Sequence, residues 1–136
     1  MKQPPTHILK FGGTSLQSAA FVEQAARVVI DRARTARPFV VVSALEGVTD
    51  ALMALADNPR GAGQQIDRLE QKHRSLFDRL VNTDSRHKQQ LHTLFEELRQ
   101  TIGNEALQTD NRQAWKDRIL SVGERASARI FAAVLT

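Results

Sequence analysis

The sequence predicts an α/β chain built on a parallel βαβ unit and continued by helices. Three observations carry this. Thr6-His7-Ile8-Leu9-Lys10-Phe11 is closed by Gly12-Gly13, small and branched residues recur at helical spacing over Gln17 to Arg37, and Phe39-Val40-Val41-Val42-Ser43-Ala44 is an apolar run bounded by a glycine loop. An apolar segment running into paired glycines reads as a strand and a tight loop. Ala19, Ala20, Val22, Ala25, Ala26, Val29 and Ala33 form the helical stripe, with Ser15 or Ser18 as its cap and Pro38 as its stop. The second apolar run suits a central parallel strand covered by helices on both faces. Both strands then end in loops at the carboxyl edge of the sheet, where open parallel sheets bind ligands.

Beyond these, Val48 to Ala56 reads as a short helix ended by Asp57-Asn58-Pro59-Arg60-Gly61. Ile66, Leu69, Leu76, Phe77, Leu80 and Val81 give one apolar face over Gln64 to Val81. Leu91, Leu94, Phe95, Leu98 and Ile102 give another, and Thr83-Asp84-Ser85 turns the chain between them, an αα-hairpin at about 64–102. A final helix is expected from about Asn111 to Leu135, with Gly123 inside it. Two parallel strands cannot cover their own edges. The helical pattern still runs at Val134-Leu135-Thr136, so the expectation is the front part of a longer domain.

Composition narrows the class. A chain of 136 residues, 41% hydrophobic and 25% charged, fits one ordinary soluble domain. Zero cysteine removes disulfide frameworks and thiol nucleophiles. The apolar run at Phe39 falls far short of the roughly 18–20 residues of a membrane span. Met1 to His7 carries two prolines and no secretory core, so the expectation is a cytoplasmic protein with no membrane partner. Net charge is +4, from 19 Lys and Arg against 15 Asp and Glu, which invites a nucleic-acid reading. The charges are interleaved, as in Glu96-Glu97-Leu98-Arg99, so solvated helix faces are the simpler reading and no nucleic-acid partner is expected.

Three segments could carry chemistry. In Lys10-Phe11-Gly12-Gly13-Thr14-Ser15, glycines let the backbone approach a phosphate closely and open positive φ. Their N–H groups and the start of the next helix can form an anion nest, to which Lys10 adds an ammonium. A plain glycine turn beside a surface lysine fits the same residues, and the spacing is neither a Walker loop nor G-x-G-x-x-G. In Val42-Ser43-Ala44-Leu45-Glu46-Gly47-Val48-Thr49-Asp50, small residues and hydroxyls can hold a small polar substrate. Capping of the following helix is the simpler role for one of Thr49 and Asp50.

The third segment is Ser121-Val122-Gly123-Glu124-Arg125-Ala126-Ser127. A glycine inside a helix costs about 1 kcal/mol relative to alanine. A surface glutamate beside a tolerated glycine is the simpler reading; a position where a ligand or another backbone comes close is the alternative. His73, His87 and His92 read as surface or interface residues, and His87 and His92 are five apart, off the spacing of a helical metal pair. His7 has no identifiable partner.

In this order and at these separations, the three segments together resemble the aspartate kinase family, with Lys10-Phe11-Gly12-Gly13-Thr14-Ser15 the most specific. The resemblance spans essentially the whole chain. It implies the amino-acid kinase fold, a three-layer αβα sandwich around a mainly parallel sheet, of which residues 1–136 are the N-terminal portion. It implies transfer of the γ-phosphoryl of ATP to the side-chain carboxylate of L-aspartate, with Mg²⁺ held through the nucleotide phosphates. The product, 4-phospho-L-aspartate, opens the routes to lysine, threonine and methionine. The family is homo-oligomeric and allosteric, and some members are fused to homoserine dehydrogenase or a decarboxylase.

By the same resemblance, Lys10 contacts the ATP phosphates and is catalytic, while Gly12, Gly13 and Ser15 lie in the phosphate loop. Ser43, Ala44 and Thr49 line the substrate site, and Glu124 holds aspartate through its amino group. No residue here is implied as a metal ligand. The second half of the family's domain supplies an aspartate near the transferring phosphate, an arginine for the substrate carboxylate and most of the adenine pocket. These 136 residues alone are therefore expected to be inactive.

Relatives acting on glutamate, N-acetylglutamate, carbamate or a nucleoside monophosphate share an early lysine and paired glycines. Phe11, Thr14-Ser15 and Gly123-Glu124 favour aspartate over them. A basic helical module binding nucleic acid through residues 60–118 would leave the Gly-Gly loop unexplained. A non-catalytic remnant used only for assembly is the third alternative.

Overall fold

Two strands, β1 (Thr6–Phe11) and β2 (Arg37–Val42), pair in parallel with Ile8 opposite Phe39 and Phe11 opposite Val42. They belong to a computed structural model that describes residues 1–82 and 85–136, Ser85 by its backbone alone. The expected turn at Thr83-Asp84-Ser85 therefore lies outside the described residues, apart from Ser85, where a helix begins.

A 3-10 turn (Gly13–Leu16) leads from β1 into α1 (Ala19–Arg32). Of the two candidate caps it is Ser18 that serves, its Oγ accepting the Phe21 N–H at 3.3 Å. The helix stops short of the expected Arg37. The Arg37 N–H instead donates to the Pro5 carbonyl at 2.8 Å, and Ser43 N–H donates to Phe11 O at 3.0 Å. Pairing with β1 thus overrides helical spacing and draws β2 back to include Pro38. Odd-numbered residues of β2 turn their N–H toward β1, so the proline nitrogen faces the outer edge, where no donor is needed.

The sheet corrects one expectation. Leu9, Phe11, Val40 and Val42 pack on the core, and the Phe11 ring stacks on Phe131 with centroids 5.6 Å apart. The other face, expected to be covered, leaves Ile8 72%, Phe39 64% and Val41 40% exposed. The described helices pack against one face only.

After β2 come α2 (Val48–Asp57), α3 (Ala62–Leu80), α4 (Ser85–Ile102), α5 (Glu105–Asp110) and α6 (Arg112–Leu135). α3 and α4 lie antiparallel: Lys88 meets Asp78 at 2.6 Å, and at the far end Arg99 meets Asp67 at 2.6 Å. Between them Glu70, nearly buried, accepts from Arg99 at 2.8 Å and pairs with His92 at 2.6 Å. Burial works to raise its carboxyl. Hydrogen bonds and charge from Arg99 and His92 outweigh that and hold it below the usual carboxylate range.

His73 is a correction. Expected at the surface or an interface, it is fully buried in the core against Phe95, at a centroid distance of 5.1 Å. Its Nδ1 lies 2.7 Å from the Leu69 carbonyl, so that nitrogen carries the proton, and Nε2 has no partner among the described residues. Burial is the main cause that pushes its pKa down; the Leu69 bond opposes it and the Lys72 charge adds to it. The fold holds the neutral ring.

α6 is the central post, packing on β2 and on α1 to α5. Asn111 caps it, its Oδ1 accepting the Ala114 N–H at 3.1 Å. Trp115 is fully buried, and its indole N–H donates at 2.7 Å to Thr101 O, a carbonyl near the end of α4 that also accepts the Asn104 N–H at 3.2 Å. α5 was not legible, because six residues give no full apolar period; Asn104 caps it through Leu107 N–H at 3.0 Å. Among the described residues no helix is long and apolar enough to cross a membrane.

Candidate functional site at the carboxyl edge

The ends of β1 and β2 bring two of the three segments side by side. A Cβ built on Gly13 would lie 3.5 Å from Ala44 O and 3.8 Å from Ser43 Oγ, so the glycine loop runs against the second-strand loop. Gly12 and Gly13 do not use positive φ, contrary to one reason for expecting glycine there. A Cβ on Gly12 would meet nothing within 4 Å, so a glycine at this point leaves the backbone open to an approaching phosphate. The Ser15 N–H is turned back onto Gly12 O at 3.1 Å, closing the 3-10 turn.

The second loop is shaped by Gly47, which takes φ +79° and begins α2 without a side-chain cap. Neither Thr49 nor Asp50 caps this helix, as had been expected of one of them. Gly47 holds the position that a capping side chain would fill, and both residues lie inside the first turn, exposed. From α3, Lys72 Nζ donates to Glu46 O at 2.6 Å and anchors the loop. A cleft of about 340 Å³ opens beside it, lined by Leu16, Gln17, Leu45, Glu46 and Lys72 among others.

The third segment arrives on α6, and its glycine is explained by packing. A Cβ on Gly123 would sit 2.8 Å from Ala44 Cβ and 3.4 Å from both Val48 and Leu52, too close for any side chain without a backbone shift. One turn on, the buried Ser127 hydroxyl donates to Ser43 O, and Glu124 O lies 3.1 Å from the same oxygen.

The candidate residues fall into two groups. Gly13, Ser43 and Ala44 are brought together, with the Glu124 backbone joined to them through Ser127. Lys10 stands exposed as the next-to-last residue of β1, on the open face of the sheet, whereas Glu124 is exposed on the helix that covers the other face. Neither side chain has an ion pair or hydrogen bond among the described residues. Residue-by-residue reading missed Ser127 and Lys72. Ser127 was signalled by its four-residue spacing from Gly123, which puts both on one helix face. Lys72 carried no signal, since its partner is 26 residues away. Among the described residues, His, Asp and Glu form no group of three or more that could hold a metal ion.

Glycine-lined loops meeting a helix at the carboxyl edge of a parallel sheet occupy the place where open α/β sheets bind their ligands. Residues 5–136 match the amino acid kinase family, and the chain belongs to it. Its fold is that of the family, present in part. Escherichia coli aspartokinase III, in complex with aspartate and ADP, superposes with a TM-score of 0.80 at 26% identity, over 96% of this chain and 28% of that one. The same enzyme in complex with lysine and aspartate gives the same values. Clostridium acetobutylicum aspartate kinase shares the fold, with a TM-score of 0.73 at 20% identity over 97% of this chain and 29% of that one. The chain thus spans under a third of the length of these kinases. No curated protein matches it by sequence.

Proposed function

We propose that this chain is the N-terminal portion of the catalytic domain of an aspartate kinase, joining the γ-phosphoryl of ATP to the side-chain carboxylate of L-aspartate. The observation that carries the reading is the convergence of the Gly13 loop, the Ser43-Ala44 loop and the Gly123 to Ser127 turn at one sheet edge. The likeness to an aspartokinase that binds aspartate and ADP supports it.

In the transfer, the bond between the γ-phosphorus and the bridging oxygen breaks, a bond to a carboxylate oxygen forms, and ADP leaves. The acceptor is already an anion, so no proton has to be removed and no general base is required. What the reaction asks of the protein is positioning and charge stabilisation. Lys10 supplies an ammonium to the phosphates, and the Gly12, Gly13 and Ser15 backbone lies along them. Ser43, Ala44 and Thr49 line the aspartate side, and Glu124 holds the substrate ammonium. Mg²⁺, carried by the nucleotide, neutralises phosphate charge when bound. The same reading makes the protein a cytoplasmic, self-associating enzyme at the head of lysine, threonine and methionine synthesis.

In the complete kinase, Glu124→Gln is expected to raise KM for aspartate about tenfold, the scale of a weakened charge-assisted bond, and to leave KM for ATP within twofold. Equal effects on both substrates would contradict the role given to Glu124.

A further inference from the structure

We infer that Ser127 is a positioning residue for the aspartate side of the site: its buried hydroxyl ties the Ser43 carbonyl to the turn of α6 that carries Glu124. The inference rests on the aspartate kinase reading and adds a residue that never meets substrate.

Ser127 is 2% exposed, on a stripe of α6 otherwise apolar at Val122, Ala126 and Ile130. A buried hydroxyl is tolerated only where its hydrogen bond is made. It has one proton and two carbonyl oxygens in reach. The bond to Glu124 O, three residues back, is open to any serine in a helix. Ser43 O is 84 residues away, and only the packed fold brings it there.

The partner is what gives the bond its consequence. Ladder pairing ends with Phe11 opposite Val42. The Ser43 N–H is still held by β1, donating to Phe11 O at 3.0 Å, and its carbonyl is taken by α6. Both backbone groups are thereby fixed, so the direction of the Ser43 Oγ and of the Ala44 carbonyl it donates to, at 3.1 Å, is fixed as well. Gly123, on the same helix face, allows the close approach that the bond needs. Loop and Glu124 then move as one unit.

In the complete kinase, Ser127→Ala is expected to raise KM for aspartate on the order of fivefold, with kcat and KM for ATP within twofold. Ser127→Thr, which keeps the hydroxyl, restores most of the affinity. Ile130→Val trims the same helix in the core and lowers the melting temperature without moving KM. Backbone amide exchange over residues 44–49 provides a second readout, expected to quicken in Ser127→Ala alone. An unchanged KM for aspartate, or both KM values rising together, would overturn the inference. Should the unaltered protein show no aspartate-dependent turnover, the functional reading fails by itself. Exchange then decides the anchor: faster exchange upholds it and unchanged exchange overturns it.

Discussion

Lys10→Ala in the complete kinase is expected to lower kcat by about 10²–10³, the scale for removing one preorganised donor from a developing negative charge. Lys10 is the next-to-last residue of β1, exposed on the open face of the sheet, and its side chain has no ion pair or hydrogen bond among the described residues. Lys72, which anchors the second loop from α3, is already engaged by Glu46 O at 2.6 Å. Because the charge matters more in the transition state than in the ground state, KM for ATP should change far less than kcat. Wild-type kcat in the variant would remove Lys10 from the mechanism. Lys10→Arg should recover only part of the rate, since a planar guanidinium does not reproduce a compact ammonium.

The second large effect is on stability and comes from Gly123. In an exposed helix, Gly→Ala stabilises by about 1 kcal/mol. Here the added methyl meets Ala44 Cβ at 2.8 Å, with Val48 and Leu52 at 3.4 Å, so α6 must move away from the loop. Overpacking of this kind costs about 1–3 kcal/mol, so Gly123→Ala should destabilise on balance and displace Ala44. Ala44→Gly removes the opposing methyl, and combining the two substitutions should recover most of the loss, giving a coupling of about 1 kcal/mol or more. A higher melting temperature for Gly123→Ala alone would contradict the packing account.

Much of this architecture was legible because local chemistry and tertiary demand agree. Ser18 caps where a short polar side chain precedes an apolar helical stripe, α6 begins beside the expected Asn111, and Phe39 to Val42 reads as strand because nothing in it suits a helix. Reading failed where tertiary contacts decide. Residues 33–36 carry no stop signal, and α1 ends there because Arg37 is drawn into the ladder by Pro5. His73 read as a surface or interface residue because its burial depends on α4 packing over it. The candidate site divides the same way. Its segments were recognisable as motifs, whereas at Gly123 a tolerated glycine beside a surface glutamate was the simpler reading and the close approach comes from the packing. The partner, Ala44, could not be known until β2 and α6 were set side by side.

The central claim is the reaction itself, and hydroxylamine trapping tests it most directly. The complete protein is incubated with Mg-ATP and hydroxylamine, with aspartate, glutamate or N-acetylglutamate as acceptor. An acyl phosphate formed on the acceptor is captured as a coloured hydroxamate. Hydroxamate is expected with aspartate and with neither of the other two. Hydroxamate from glutamate or N-acetylglutamate instead, or from none of the three, would contradict the claim.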